Sequence, residues 1–139
     1  SVRQKGNLTM NLHHIGIAVQ DLDRALEQWR LLGLEEDDRR AVEDFNVEVS
    51  MVPVGEVELE YIQPLGEGSI QKYLDNAGEG MHHVALAVPD IEASLREMEA
   101  QGVQLVDETP RTGFRGNRVA FLHPKSFNGV LVELVEETA

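Results

Sequence analysis

A ten-residue segment occurs twice in this chain, and that repeat limits what the chain can fold into. His13-His14-Ile15-Gly16-Ile17-Ala18-Val19-Gln20-Asp21-Leu22 returns as His82-His83-Val84-Ala85-Leu86-Ala87-Val88-Pro89-Asp90-Ile91, at a constant offset of 69 residues. Each copy reads as a strand, an aspartate and the start of a helix. One such unit cannot bury its apolar face alone, so two copies imply two like halves sharing a core. A length of 139 residues fits one domain built this way.

The patterns around the repeat extend it. Leu22, Ala25, Leu26, Trp29 and Leu32 follow helical spacing and Gly33 stops the run. Ile91, Leu95 and Met98 do the same, with Gly102 as the stop. Asp21 and Asp90 are N-cap candidates, because a short carboxylate accepts from the free N–H groups of a first turn. Strand-like runs follow at 46–54 and 56–62 in the first half, and at 103–106, 118–123 and 129–135 in the second. A short helix is expected at 69–76. Each half thus reads β-α-β-β-β. The expected organisation is an N-terminal extension at 1–10, then one domain at 11–137. That domain comprises a module at 11–65, a link at 66–80 and a second module at 81–137.

Side chains alternate across a strand. One face of the first repeat carries His13, Ile15, Ile17 and Val19; the other carries His14, Gly16 and Ala18. The second copy divides likewise into His82, Val84, Leu86 and Val88 against His83, Ala85 and Ala87. Bulky faces suit packing under helices, and small faces leave room for something else. His14 and His83 are therefore the functional candidates, while His13 and His82 are expected to be structural, at the edge of the packed face. A single histidine is ordinarily a satisfied core or surface residue. Two at equivalent positions on small-residue faces point to ligands.

Glu133 lies in the apolar run Gly129-Val130-Leu131-Val132-Glu133-Leu134-Val135. A buried carboxylate is costly unless paired or bound to metal; the alternative is an edge-strand Glu facing water. Glu60 shares strand parity with Glu56 and Glu58, which equally suits a wet face, but symmetry with Glu133 supports it. Two imidazoles and two carboxylates suit one divalent ion such as Co, Ni, Mn, Fe or Zn.

Composition narrows the field further. The absence of cysteine removes disulfides, zinc ribbons and thiol catalysis, and fits a cytoplasmic protein. A net charge of −13, from 25 acidic and 12 basic residues, opposes nucleic-acid binding. No apolar run approaches the ~20 residues that span a bilayer, and 1–10 lack the apolar segment of a secretory signal.

With these residues in place, the chain resembles the vicinal oxygen chelate superfamily, and within it the methylmalonyl-CoA epimerase family, from about Leu12 to Glu136. The resemblance rests on His14-Ile15-Gly16-Ile17-Ala18-Val19, Glu60-Tyr61-Ile62-Gln63-Pro64-Leu65 and Ser69-Ile70-Gln71-Lys72-Tyr73-Leu74. It continues through Gly78-Glu79-Gly80-Met81-His82-His83, Gly116–Lys125 with its Phe121-Leu122-His123-Pro124-Lys125, and Gly129–Leu134. It implies an α+β fold of tandem βαβββ modules forming a cupped mixed sheet around a metal site. His14, Glu60, His83 and Glu133 are the implied ligands, and Co²⁺ is the implied ion. The implied activity is interconversion of (R)- and (S)-methylmalonyl-CoA by 1,1-proton transfer through a metal-stabilised enolate, in a homodimer. Some members carry a catalytic Glu where this chain has Val49, and Glu48 next to it should face the other way. Glu133 and Glu60 are therefore the expected acid/base pair. Lys125, Arg118, Arg115 and Arg111 are the candidates for the anionic groups of the acyl-CoA. A glyoxalase I-like lactoylglutathione lyase and a non-catalytic small-molecule binder are the rival readings.

Overall fold

The computed structural model describes residues 10–137; residues 1–9 of the expected extension lie outside them. The first half runs β1 (Asn11–Ala18), α1 (Leu22–Trp29), β2 (Asp38–Val42), β3 (Val47–Val54) and β4 (Val57–Pro64). After α2 (Ser69–Ala77) the second half runs β5 (Gly80–Val88), α3 (Ile91–Ala100), β6 (Arg111–Thr112), β7 (Arg118–Leu122) and β8 (Val132–Glu136). All eight strands form one mixed sheet in the order β2-β3-β4-β1-β5-β8-β7-β6. The two repeat strands, β1 and β5, pair antiparallel at its centre, and each is flanked by a parallel partner, β4 or β8. The sheet is cupped and nearly closed. Arg115, beyond β6, reaches back to Asp38 on β2 at 3.0 Å and to Glu58 on β4 at 3.3 Å.

The helices form where capping and spacing direct. Asp21 accepts from the Arg24 N–H at 3.2 Å and Asp90 from the Ala93 N–H at 3.1 Å. After α1 the chain tightens into a 3₁₀ turn ended by Gly33 at φ 81°. Leu22 and Leu26 of α1 bury against Ile17, Val19, Val52 and Tyr61; Ile91 and Leu95 of α3 bury against Val88, Ala120, Leu122 and Leu134. Full burial of Leu22 or Ile91 contributes about 1.5–3 kcal/mol each. The bulky faces of both repeat strands thus lie under helices, and the small faces line the cup. Met10, expected in the extension, packs against the α3 cluster. Among the described residues no helix is long and apolar enough to cross a membrane.

Four segments differ from expectation, the first being β6, two residues paired with β7 where no strand is expected. β2 forms from Asp38-Arg39-Arg40-Ala41-Val42, whose polar outer face hides its strand character. The strand expected at 103–106 is reduced to one bridge, Leu105 to Leu122. There the N–H groups of Val106 and Asp107 share the Phe121 carbonyl, and the Asp107 carboxylate takes the Phe121 N–H, so no ladder continues. β8 starts at Val132 because Asn128 and Gly129 turn the chain at φ 56° and 84°.

Candidate metal centre

Strand register brings the four expected ligands together. Glu60 on β4 is level with Gly16 on β1, and Gly16 is level with His83 on β5. One step along, His14 on β1 is level with Ala85 on β5, and Ala85 with Glu133 on β8. Each row therefore reads ligand, small residue, ligand. The small residue lets its neighbours lean together over it. A Cβ on Gly16 would lie 2.1 Å from Cε1 of His83, so only glycine leaves room for that ring.

Among the described residues the buried polar side chains are Ser50, Ser94 and these four, so every buried group that ionises at neutral pH belongs to the cluster. His14 Nε2 lies 3.0 Å from His83 Nε2 and 3.0 Å from Glu133 Oε1. His83 Nε2 is 3.2 Å from the same Glu133 oxygen, and both imidazoles are 3.4 Å from Glu60 oxygens. A cation with bonds of about 2.1 Å holds neighbouring ligand atoms about 3.0 Å apart in octahedral and about 3.4 Å apart in tetrahedral geometry. The spacings fall in that range. Both Nε2 atoms and the carboxylate oxygens converge on one small space, and Glu133 Oε1 is buried with no well-directed hydrogen bond. One divalent cation satisfies all of these groups, so the residues fit a metal. Ligand atoms of His14, Glu60 and His83 lie within 4.8 Å of one another; Glu133 joins them through the imidazoles.

Protonation follows from the crowding. Burial opposes charge on His14 and His83, but Glu60 and Glu133 outweigh it, and both imidazoles are raised above the usual histidine value. Burial likewise favours neutral carboxyls, yet the imidazoles prevail and both glutamates are held below the usual carboxylate range. The metal-free cluster therefore binds protons that a cation must displace.

His13 and His82 do not lie where simple alternation puts them. The register of β1 on β5 slips once between Leu12 and His14 and once between Gly16 and Ile17, leaving His13 and His82 as the extra residues of two bulges. A bulge re-aims its side chain, and both rings turn toward the cup. His13 Nδ1 meets His14 Nδ1 at 2.7 Å, and His82 Nδ1 meets His83 Nδ1 at 2.8 Å. Burial first, then the neighbouring ligand, lowers both; His82 falls to about 4. No signal in strand parity announces an inserted residue, although the doubled His-His pair hints at it.

An apolar cavity of about 180 Å³ opens onto Glu60, His83 and Glu133. Val47, Val49, Ile62, Ile70, Phe114 and Phe121 are among its walls. Val49 thus points into the cavity while Glu48 pairs with Arg39 at 3.6 Å. Of the expected substrate cations, Arg111 lines this cavity, 3.9 Å over the Phe45 ring and bonded to the Asp44 carbonyl. Arg115 is held by Asp37, Asp38 and Glu58. Arg118 faces α3, paired with Glu92 and Glu136, away from the cup. Lys125 is exposed in the turn after β7.

A cupped sheet of two βαβββ modules around a His/Glu/His/Glu cluster defines a class, and residues 13–121 match the family described as Glyoxalase/Bleomycin resistance protein/Dioxygenase superfamily; the chain belongs to it. Within it, the chain is 39% identical over 127 residues to the ethylmalonyl-CoA/methylmalonyl-CoA epimerase of Cereibacter sphaeroides, covering 88% of this chain and 95% of that one. A single-residue variant of the Streptomyces coelicolor methylmalonyl-CoA epimerase, in complex with 2-nitronate-propionyl-CoA, superposes with a TM-score of 0.89 at 35% identity, over 96% of this chain and 97% of that one. A methylmalonyl-CoA epimerase in complex with methylmalonyl-CoA and NH4+ gives a TM-score of 0.87 at 34% identity, over 92% and 94%.

Proposed function

We propose that the chain is a metal-dependent epimerase interconverting (R)- and (S)-methylmalonyl-CoA by 1,1-proton transfer, with 11–137 acting as one domain. The observation that carries this reading is the pair of ligand rows, which sets two carboxylates on either side of two imidazoles at the end of an apolar cavity. Similarity over 88% and 92% of the chain to epimerases named for this substrate supports it.

His14, Glu60, His83 and Glu133 would hold the ion, which when bound would supply Lewis-acid stabilisation of the negative charge developing on the thioester oxygen. The protein's part is to move a proton between the two faces of C2, which needs an acid/base on each face. Our reading gives one face to Glu133, presented by β8, and the other to Glu60, presented by β4. Val49 supports that division, because a valine in the cavity wall cannot take a proton. The apolar walls exclude water from the carbanionic centre, and Arg111 at the cavity, with Lys125 outside it, is offered to the anionic groups of the acyl-CoA. By family likeness the ion is Co²⁺ and the protein a homodimer; the cysteine-free sequence fits the cytoplasm.

The reading is tested by incubating Co²⁺-reconstituted protein with methylmalonyl-CoA in D₂O and following deuterium at C2. The hemithioacetal of methylglyoxal and glutathione serves as the parallel substrate. Exchange with the first alone is expected. Turnover of the second alone, or of neither, would displace the proposal in favour of a glyoxalase or a binder.

A further inference from the structure

We propose that His13 and His82 are positioning residues of the metal centre: each accepts the Nδ1–H of the ligand imidazole beside it, so that the ligand's Nε2 is left unprotonated toward the cation. This rests on the reading that His14 and His83 hold a divalent ion.

A neutral imidazole carries one proton, on Nδ1 or Nε2. In each pair the two Nδ1 atoms are 2.7 or 2.8 Å apart, so one donates and one accepts. The Nε2 atoms of His14 and His83 face each other and the two carboxylates. A ligand that donates from Nδ1 has a bare lone pair at Nε2; a ligand that accepts at Nδ1 carries its proton at Nε2 and cannot bind metal there. The first arrangement makes His13 and His82 the acceptors. Metal-bound histidines commonly need such a partner to fix tautomer and ring orientation.

The arrangement occurs twice at equivalent positions of the repeat, and each time through a bulge that interrupts the central ladder. A flat strand would send His13 and His82 under the helices, out of reach. Two bulges at matching sites, each yielding the same Nδ1 contact, go beyond the packing of one ring. His82 is steadied further by Tyr73, whose ring stands edge-on at 4.9 Å and whose hydroxyl donates to the Met81 carbonyl at 2.6 Å.

Two measurements test this. The first is the Zn²⁺ or Co²⁺ affinity, by chelator competition, of wild type and of His13→Leu, His82→Leu, His13→Asn and His82→Asn. Each leucine variant should bind about 10- to 100-fold more weakly, and each asparagine variant should recover most of that, because its Oδ1 accepts from a similar place. Leucine variants that bind like wild type, or asparagine variants as weak as leucine, would overturn the proposal. The second needs no variant: ¹⁵N correlation spectra of the Zn²⁺-loaded wild type should show the proton on Nε2 of His13 and His82 and on Nδ1 of His14 and His83. The reverse tautomers would refute it. A wild type that binds no divalent ion would instead remove the metal centre itself, and this positioning role with it.

Discussion

The two halves of this protein agree at the centre of the sheet and part company at its edges. Glu60-Gly16-His83 and His14-Ala85-Glu133 are the same row built twice, each with a bulged histidine beside its ligand. The outer strands differ: β2 has five residues and β6 only two. The cavity walls are unlike as well, with Val47 and Val49 on one side and Phe121 and Leu131 on the other. Repetition is retained in the rows that would supply the two faces of the proposed proton transfer, and divergence is found in the walls of the cavity beside them.

The largest effect should come from breaking the equivalence of the carboxylates. Glu60→Gln and Glu133→Gln should each lower the turnover number by about 10²–10⁴-fold, the range for loss of a general acid or base. Stopped-flow or NMR exchange assays, with metal content measured on the same samples, check this. A Glu60→Gln enzyme of full rate with metal bound would sink the symmetric assignment and leave Glu133 to act with another group.

A smaller asymmetry lies in the middle of the rows. Gly16→Ala drives a methyl into the His83 ring, and overpacking of that kind costs about 1–3 kcal/mol. Weakened metal binding should accompany it. The mirror change, Ala85→Gly, should cost about 0.5–1 kcal/mol and leave metal binding intact. Denaturant melts and metal titrations on both variants sharpen the comparison; equal behaviour would mean that the rows are interchangeable after all.

Acidity acts on both halves together. Because His14 and His83 are raised above the ordinary histidine value, protons compete with the cation at neutral pH. Metal affinity should therefore fall with falling pH, about tenfold per pH unit for each proton displaced. The metal-free protein should behave oppositely. Its raised imidazoles add stability that is complete below the ordinary value of about 6.5 and is lost as pH climbs through the raised values. Thermal melts of metal-free and metal-loaded protein from pH 6 to 9 should thus diverge.

Much of this design is legible in the sequence. The 69-residue repeat carries the two-module α+β plan, and alternation along it separates His14 and His83 from the side chains under the helices. Glu133 stands out because it interrupts an otherwise apolar run at 129–135. Other features depend on tertiary context. β2 is an edge strand that alternates weakly, and 103–106 has strand composition but loses its ladder to Asp107. The bulges escape because alternation assumes that no residue is inserted, and one extra residue turns a side chain to the other face. Arg115 and Arg118 are reasonable phosphate candidates by charge, yet acidic neighbours from distant segments engage both.

The central claim is that one divalent ion sits between the halves and needs a ligand from each. Its most direct test is the stoichiometry of Co²⁺ in the reconstituted, desalted protein, measured by inductively coupled plasma mass spectrometry beside His14→Ala and His83→Ala. About one ion per chain in the wild type, falling to near none in either variant, is the expected result. A wild type that retains no ion, or either alanine variant that keeps a full equivalent, would contradict it.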